Sequence, residues 1–432
     1  MKIALITAGA AGMYCGSCMR DNTLAAALNK MGHDALLIPT YTPIRTDEED
    51  VSQSKIFMGG INVYLQQKFW VFRHTPRLFD KLLNFRWLLR LVSPLAQRTK
   101  MDSLGGLTIS MLEGSHGKQR KEVAKLVEWL ATDFKPDVVL LTNVLLSGFV
   151  PALKKAWPAP IVGVLQGDDI FLEALPEADR RRCVDLIASH DAAFAGYIAT
   201  SRFYADAMAT YLRLPREKIR VAYPGINLKG HGGPREVRAE PPYTVGYFAR
   251  ICQEKGFHHL VDAFITIRQT PGAPACRLKV AGWLGENNRP FFDEQMAKLD
   301  AAGLREFVEH VECPTHADKV AFLKSVDVLS VPTTYHEPKG LYILEALANG
   351  TPVVQPAHGS FPELIDATGG GDLVAPDDPA ALAEGIIKLL NNPARRRELA
   401  DRGQQAVNTI FTAEAMAKNT LTALEEIAAP SK

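Results

Sequence analysis

The sequence predicts an α/β protein built as two parallel-sheet domains, and three observations carry that prediction. Short apolar runs recur along the chain, each followed by a glycine-containing or polar loop and then a helical stretch, the pattern of strands buried on both faces. The alternation starts at residue 2 and starts again at residue 244, beyond a stretch at 230–242 rich in Gly, Pro and charge that reads as a linker. A length of 432 residues is long for one core and suggests two domains of about 200 residues each.

Composition narrows the class. With 47% hydrophobic and 22% charged residues the chain is globular. Its net charge of +1 hides an asymmetry, +7 over residues 1–240 and −6 over 241–432. No apolar run reaches membrane-spanning length, and the run at 3–7, followed by glycines, reads as a first strand and not a signal peptide. Six cysteines without a secretory segment lead us to expect free thiols in a reducing cytoplasm. There is no internal repeat.

Taken in order, residues 2–7 read as a strand, 9–16 as a glycine-rich loop, 22–31 as a helix and 35–39 as a second strand, the opening of a parallel α/β domain. A nicotinamide site is disfavoured. The loop lacks the G-x-G-x-x-G spacing, and the second strand ends in Pro39-Thr40-Tyr41 with no acidic residue. No Gly-Lys-Ser/Thr is present, which excludes a P-loop. Cys15-Gly-Ser-Cys18 has no second cysteine pair, and its nearest histidine is His33; it reads as small residues lining a tight loop more readily than as a redox or zinc site. Residues 40–115 read as an insertion. Within it, 68–100 holds eight basic residues against Asp80, interleaved with Phe and Trp. Two readings stand there, a helix at a membrane surface or a helix pair with a buried aromatic face. No nucleic-acid fold signature accompanies the patch, so no nucleic-acid partner is expected.

A helix at 122–133 precedes a buried strand at 138–141 ending at Asn143. The strand at 161–165 leads into Gln166-Gly-Asp168-Asp169, whose aspartates suit either acceptor hydroxyls or the cap of the next helix. Runs at 197–200 and 219–222 read as the last strands of this domain. In the second domain, 244–249 is a strand with Arg250 at its carboxyl end, and Lys255-Gly256 opens the helix after it. Strands at 278–281 and 308–311, helices at 291–301, 317–324 and 380–390, and a last helix at 412–427 complete the chain.

Residues 331–355 carry the most chemistry: VPTTYHEPKGLYILEALANGTPVVQ. They read as strand, loop, helix, Gly-Thr-Pro turn and strand. Glu337 lies in the loop and Glu345 one turn inside the helix, with Tyr342 and Asn349 on the same narrow polar edge. That edge faces either solvent or a cleft. Gly340 permits close backbone approach, and the free N–H groups of the helix start beside it form an anion site. Ligands of open α/β sheets lie beyond the carboxyl ends of strands, so Arg250 and Gly340 should share one rim. Carboxylates for hydroxyls beside amides and cations for phosphate suit a sugar nucleotide.

Glu337, Glu345, Gly340-Leu341 and Gly350-Thr351-Pro352-Val353-Val354 resemble the donor-site signature of the retaining glycosyltransferases of family four (glycosyl transferases group 1). The resemblance implies the GT-B fold, two facing Rossmann-like domains with a cleft between them. It gives an acceptor-binding domain at 1–235, a nucleotide-sugar donor domain at 241–411, and a helix at 412–432 that crosses back to the first domain. It implies that Arg250 and Lys255 clamp the donor diphosphate, Glu337 binds the donor sugar and Glu345 the ribose. Gly16 would meet the diphosphate, Gln166 the sugar, the Cys313 loop the base, and Lys339, Gly340 and Leu341 would complete the donor site. The catalytic group is then Arg250, Lys255 and Glu337, with Asn143, Asp168 and Asp169 as candidates for the acceptor. Three departures stand out. Pro338-Lys339 replaces a Gly and an aromatic residue, Cys15 replaces one glycine of a pair, and Gln166 stands where the family has a histidine.

The expected activity is retaining transfer from a nucleotide diphosphate sugar to a sugar, lipid-linked or small-molecule acceptor. With no Asp-x-Asp motif, the Arg–Lys pair is expected to stand in for a divalent ion, so no cofactor or metal is anticipated. The rivals are a nucleotide-sugar epimerase on the same fold, a phosphorylase with a pyridoxal-phosphate lysine, and a non-catalytic sugar-nucleotide binder. Localisation is expected to be cytoplasmic, with peripheral contact to the inner face of a membrane if 68–100 acts there.

Overall fold

Strands covered on both faces must be apolar in both directions, and the apolar runs fold accordingly. In the computed structural model, which describes residues 1–9, 13–53, 56–58, 63, 66–67, 101–233 and 238–429, the chain divides into two compact units. One comprises Met1–Tyr223 with the chain from Met416 onward; the other is Pro224–Ala415. The division falls upstream of the 230–242 segment.

The first unit holds six parallel strands, β1 (Lys2–Thr7), β2 (Asp34–Pro39), β3 (Val138–Leu141), β4 (Ile161–Leu165), β5 (Gly196–Ala199) and β6 (Ile219–Val221). They lie in the order β2, β1, β3, β4, β5, β6. The register sets Ile3 against Val138 and Val162 against Gly196. Chain order reverses around β1, so a crevice opens at the carboxyl ends of β1 and β3. The second unit repeats the plan with β7 (Tyr243–Phe248), β8 (Cys276–Ala281), β9 (Val308–Val311), β10 (Val328–Leu329), β11 (Val353–Pro356) and β12 (Gly371–Val374). Its order is β12, β11, β10, β7, β8, β9, and its reversal lies between β7 and β10.

Five helices border the two crevices or tie the units' ends: α1 (Gly16–Lys30), α2 (Phe257–Gln269), α3 (His316–Ser325), α4 (Leu341–Ala348) and α5 (Ala413–Ala428). Helix α1 starts six residues earlier than its sequence pattern suggests. Its first turns are polar, yet Arg20, Asp21 and Asn22 are buried, so no apolar stripe announces them. Strand β10 is only two residues long. The 18-residue helix Pro393–Ile410 has no counterpart among the elements the sequence suggests. It packs through a narrow strip of small residues, where a Cβ on Gly403 would come within 2.6 Å of Leu347. Most of α5 belongs to the first unit, and Glu426 there pairs with Arg220 at 2.8 Å.

Of the insertion, residues 40–53 are pinned to α1, since Asn22 Nδ2 donates to the Glu49 carbonyl at 2.8 Å and its Oδ1 accepts from Val51 N–H at 3.0 Å. The basic-aromatic segment 68–100 lies outside the described residues. No helix among those described is long and apolar enough to cross a membrane.

Candidate active site

The crevice between β7 and β10 brings Lys255 and Glu337 together at 2.6 Å. Its geometry starts from a glycine. Gly256 has φ of +69°, and a Cβ there would sit 1.6 Å from the Pro332 carbonyl oxygen, so only glycine lets the turn after β7 reach the loop after β10. That approach sets Lys255, just before the cap of α2, against Tyr335 and Glu337. Lys255 Nζ donates to Glu337 Oε2 at 2.6 Å and to the Tyr335 hydroxyl. Tyr335 donates in turn to the same Glu337 oxygen at 2.6 Å, and Tyr342 from the first turn of α4 does so at 3.3 Å. The ammonium also lies 4.8 and 5.2 Å from the centroids of the two tyrosine rings, within cation–π range.

Glu337 is 3% exposed. Burial alone would make its carboxyl harder to ionise, but Lys255 and Lys339 beside it, with the hydrogen bonds from Lys255 and Tyr335, reverse that and hold it down at about 2. It is therefore a carboxylate at neutral pH and an acceptor only. Burial first, and then the Glu337 charge, push both tyrosine hydroxyls well above their ordinary range, so they remain donors. Arg250 acts electrostatically on Tyr335, which belongs to one hydrogen-bonded cluster with Lys255, Glu337 and Gly340.

Gly340 is the N-cap of α4. That residue is buried, its N–H donates to Glu337 Oε1 at 3.4 Å, and a Cβ at its φ of +57° would meet Leu364 at 2.9 Å. The polar edge of α4 is expected to face solvent or a cleft, yet Tyr342, Glu345 and Asn349 are all buried. Glu345 Oε1 accepts from Lys319 Nζ of α3 at 2.6 Å. Asn349 Nδ2 donates to the Glu345 carbonyl at 2.9 Å and meets His231 Nδ1 at 2.8 Å. Leu341 is the first residue of α4 and half-buried.

Cys313 lies apart, in the loop before α3. Burial pushes its thiol up to about 11, with Asp318 adding to the effect.

The first unit has its own crevice, of different character. Gln166, after β4, is 2% exposed, and its Nε2 donates to Asp21 Oδ1 at 3.0 Å and to the Thr142 carbonyl at 2.8 Å. Gly16 opens α1 next to Ser17, whose hydroxyl donates to the Gln166 carbonyl at 3.3 Å. The capping reading of the aspartates is corrected too, because the cap of the short helix Asp168–Glu173 is Gly167. Asp168 instead accepts from the Val144 and Gln166 amides, both at 3.2 Å, and ties the end of β3 to that of β4. Asp169 accepts from the Tyr204 hydroxyl at 2.5 Å. Asn143 caps its own turn, accepting from Leu145 N–H at 2.9 Å.

Sequence reasoning missed Tyr335 and Lys319. Tyr335 was within reach of it, because residues two apart in an extended segment share a face. Lys319 was not, since the Lys319–Glu345 contact depends on how α3 packs beside α4.

Two parallel six-stranded sheets, each reversing direction around its first strand, define the GT-B class of α/β proteins with two Rossmann-like domains. The Anabaena protein HepE, solved in complex with UDP and glucose, has this fold, with a TM-score of 0.68, 19% identity and coverage of 99% of this chain and 100% of that one. Sucrose-phosphate synthase from Thermosynechococcus elongatus superposes with a TM-score of 0.71 at 20% identity over 99% of each chain. Residues 234–406 match the family described as glycosyl transferases group 1, and residues 111–229 match glycosyltransferase family 4. Both matches are to glycosyltransferase families, one over 173 and the other over 119 of the 432 residues. Among curated relatives, glycogen synthase of Mycobacterium tuberculosis is 31% identical over 179 residues, 41% of each chain. Spore coat protein SA of Bacillus subtilis is 23% identical over 64% of this chain and 76% of its own length. The match to glycogen synthase thus spans less than half of that relative.

Proposed function

We propose that this chain is a retaining glycosyltransferase that takes its sugar from a nucleotide diphosphate donor held at the β7–β10 crevice. The observation that carries the proposal is the Lys255–Tyr335–Glu337 cluster, with Glu337 buried, at the carboxyl ends of those strands. A cation for a diphosphate and a carboxylate ionised at neutral pH for sugar hydroxyls stand there on adjacent loops. In this reading Arg250 and Lys255 neutralise charge as the diphosphate leaves, Glu337 accepts hydrogen bonds from the sugar, and Glu345 accepts from ribose hydroxyls. Preorganised donors of this kind contribute about 3–4 kcal/mol each to transition-state stabilisation. The acceptor attacks on the face the diphosphate leaves, so the enzyme supplies no nucleophile. Lysine and arginine do the work of a divalent ion.

The acceptor is a hydroxyl of a sugar, a lipid-linked sugar or a small molecule. If it is lipid-linked, the segment 68–100 brings the enzyme to anionic membranes at low salt, which vesicle co-sedimentation reads directly. The donor is tested by thermal shift with UDP, GDP and ADP. UDP is the first candidate, because HepE was solved with it. The matching nucleotide stabilises by about 2.7 kcal/mol at a hundredfold excess over its dissociation constant. Product analysis with labelled donor then decides the reaction. A glycoside of retained configuration supports transfer, a changed donor sugar without acceptor means an epimerase, and bound but unchanged donor means a binder.

A further inference from the structure

Residues 331–340 carry Tyr335, Glu337 and Lys339 but form neither helix nor strand. Side chains on such a segment point where its ties to neighbouring elements direct them. One tie comes from the turn after β7, where the Glu254 carbonyl accepts from Thr334 N–H at 3.0 Å. Two more come from the connection between β11 and the helix Phe361–Thr368. Ser360 N–H donates to the Glu337 carbonyl at 2.8 Å, and His358 Nε2 lies 2.8 Å from the Thr333 carbonyl oxygen. A carbonyl only accepts, so His358 carries a proton on Nε2. Gly359 between them has φ of +61°, and a Cβ there would sit 2.7 Å from the Glu337 nitrogen and 2.8 Å from its carbonyl oxygen. Three consecutive residues thus clasp the stretch from Thr333 to Glu337 at both ends, and only glycine lets the middle one come so close.

The Thr333 end also steers Tyr335. Thr333 is buried, its N–H donates to the Val331 carbonyl at 2.9 Å, and its hydroxyl donates to the Tyr335 carbonyl at 3.0 Å. Holding the Thr333 carbonyl therefore fixes the peptide plane from which the turn through Tyr335 to Glu337 starts. His358 makes no competing hydrogen bond. Its Nδ1 is shielded from water and has no hydrogen-bond partner, and its ring stands 5.1 and 5.7 Å, centroid to centroid, from those of His336 and Phe361. Burial, helped by His336, holds its pKa below the ordinary imidazole range against the Thr333 bond and the charges of Asp377 and Glu337. The ring is neutral at neutral pH, and Nε2–H is the one donor it offers.

We infer that His358 is a positioning residue for the proposed transfer: its Nε2–H, together with the Ser360 N–H, holds the loop of Tyr335 and Glu337 so that the Glu337 carboxylate meets the donor sugar. The inference rests on the proposed donor site. His358 acts through Thr333 and exchanges no proton with the substrate.

Three variants test it. His358→Leu keeps the bulk and loses the donor, His358→Gln places an amide N–H at the reach of Nε2, and His358→Asn stops one bond short. The readouts are turnover at saturating donor, calorimetric affinity for the nucleotide sugar and for the nucleoside diphosphate alone, and hydrogen exchange of peptides covering 333–340. In His358→Leu we expect turnover to fall about tenfold or more, as it does when reacting groups are misplaced. Affinity for the nucleotide sugar should fall and that for the nucleoside diphosphate should not, because only the sugar meets Glu337. Exchange at 333–340 should quicken. His358→Gln should restore all of these, and His358→Asn should not. Thermal melts identify a variant that does not fold, and if His358→Leu is lost in that way the Gln–Asn comparison decides. The inference is overturned if folded His358→Leu turns over like the wild type, if both affinities fall together, or if Gln does no better than Asn. A wild-type protein that neither binds nor transfers a nucleotide sugar overturns the proposed function instead. Faster exchange in His358→Leu, restored by Gln, would then still uphold the clasp, and unchanged exchange would overturn it.

Discussion

Two buried carboxylates sit at the two sheet crevices, and their environments drive them in opposite directions. Asp21 in the first unit is buried beside Arg20 at 3.3 Å and Gln166 at 3.0 Å. Burial outweighs these partners and makes its carboxyl harder to ionise than usual. Glu337 in the second unit is buried too, but Lys255 at 2.6 Å, Lys339 and Tyr335 outweigh the burial. The topology offers the same kind of crevice twice. What separates them is how many cations and donors converge on the acid. The first crevice is built around side-chain amide and backbone hydrogen bonds, and the second sets a buried carboxylate against a lysine and two tyrosine hydroxyls.

The sharpest break of that contrast removes the cation. Lys255→Ala should lower turnover at saturating donor by about two orders of magnitude or more, with a smaller change in donor affinity, because the lysine acts where charge grows. Turnover by stopped assay and affinity by calorimetry separate the two. Unchanged turnover in a folded variant would show that the second crevice is not catalytic.

Acid should reveal the same asymmetry in stability. The folded-state pKa of Glu337 is depressed from its ordinary value of 4.5 to about 2. Its contribution is therefore present above pH 4.5 and is lost as pH falls toward 2. The loss is on the order of 3 kcal/mol. Thermal melts across that window should fall more steeply for the wild type than for Glu337→Gln, and equal slopes would refute the assignment.

Glu345→Gln should weaken donor binding by about 1.5–3 kcal/mol while sparing turnover, because ribose hydroxyls do not change during reaction. Calorimetry with the nucleotide found by thermal shift provides the measurement. An undiminished affinity would leave Glu345 as a partner of Lys319 alone.

In the first unit, Gln166→Leu removes the amide that holds Asp21 and the Thr142 carbonyl together. Urea unfolding should show a loss of about 1–3 kcal/mol. The smallest expected effect is that of a chelator. EDTA should leave transfer unchanged, and activity that disappears and returns with magnesium or manganese would replace the Arg250–Lys255 reading with a metal.

The particular residues show why some of this was legible and some was not. Glu337, Glu345, Gly340 and the Gly-Thr-Pro turn lie within one short stretch, so local spacing was enough to find them. The strands β3 and β4 were placed at their observed ends because a buried parallel strand is an uninterrupted apolar run. The start of α1 was missed because buried polar side chains such as Arg20 and Asp21 look, in sequence, like a loop.

By itself, then, the sequence determined the two-sheet architecture and the acids and bases near the second crevice, because strand periodicity and motif spacing are local properties. Tertiary structure alone decided the partners. It closed Gly256 onto Pro332, brought Lys319 from α3 to Glu345, set Tyr335 between Lys255 and Glu337, and turned the polar edge of α4 inward. Each of these depends on which elements pack together. The charge state of a buried carboxylate follows from that packing, since it is set by what lies within a few ångströms in space and not by neighbours along the chain.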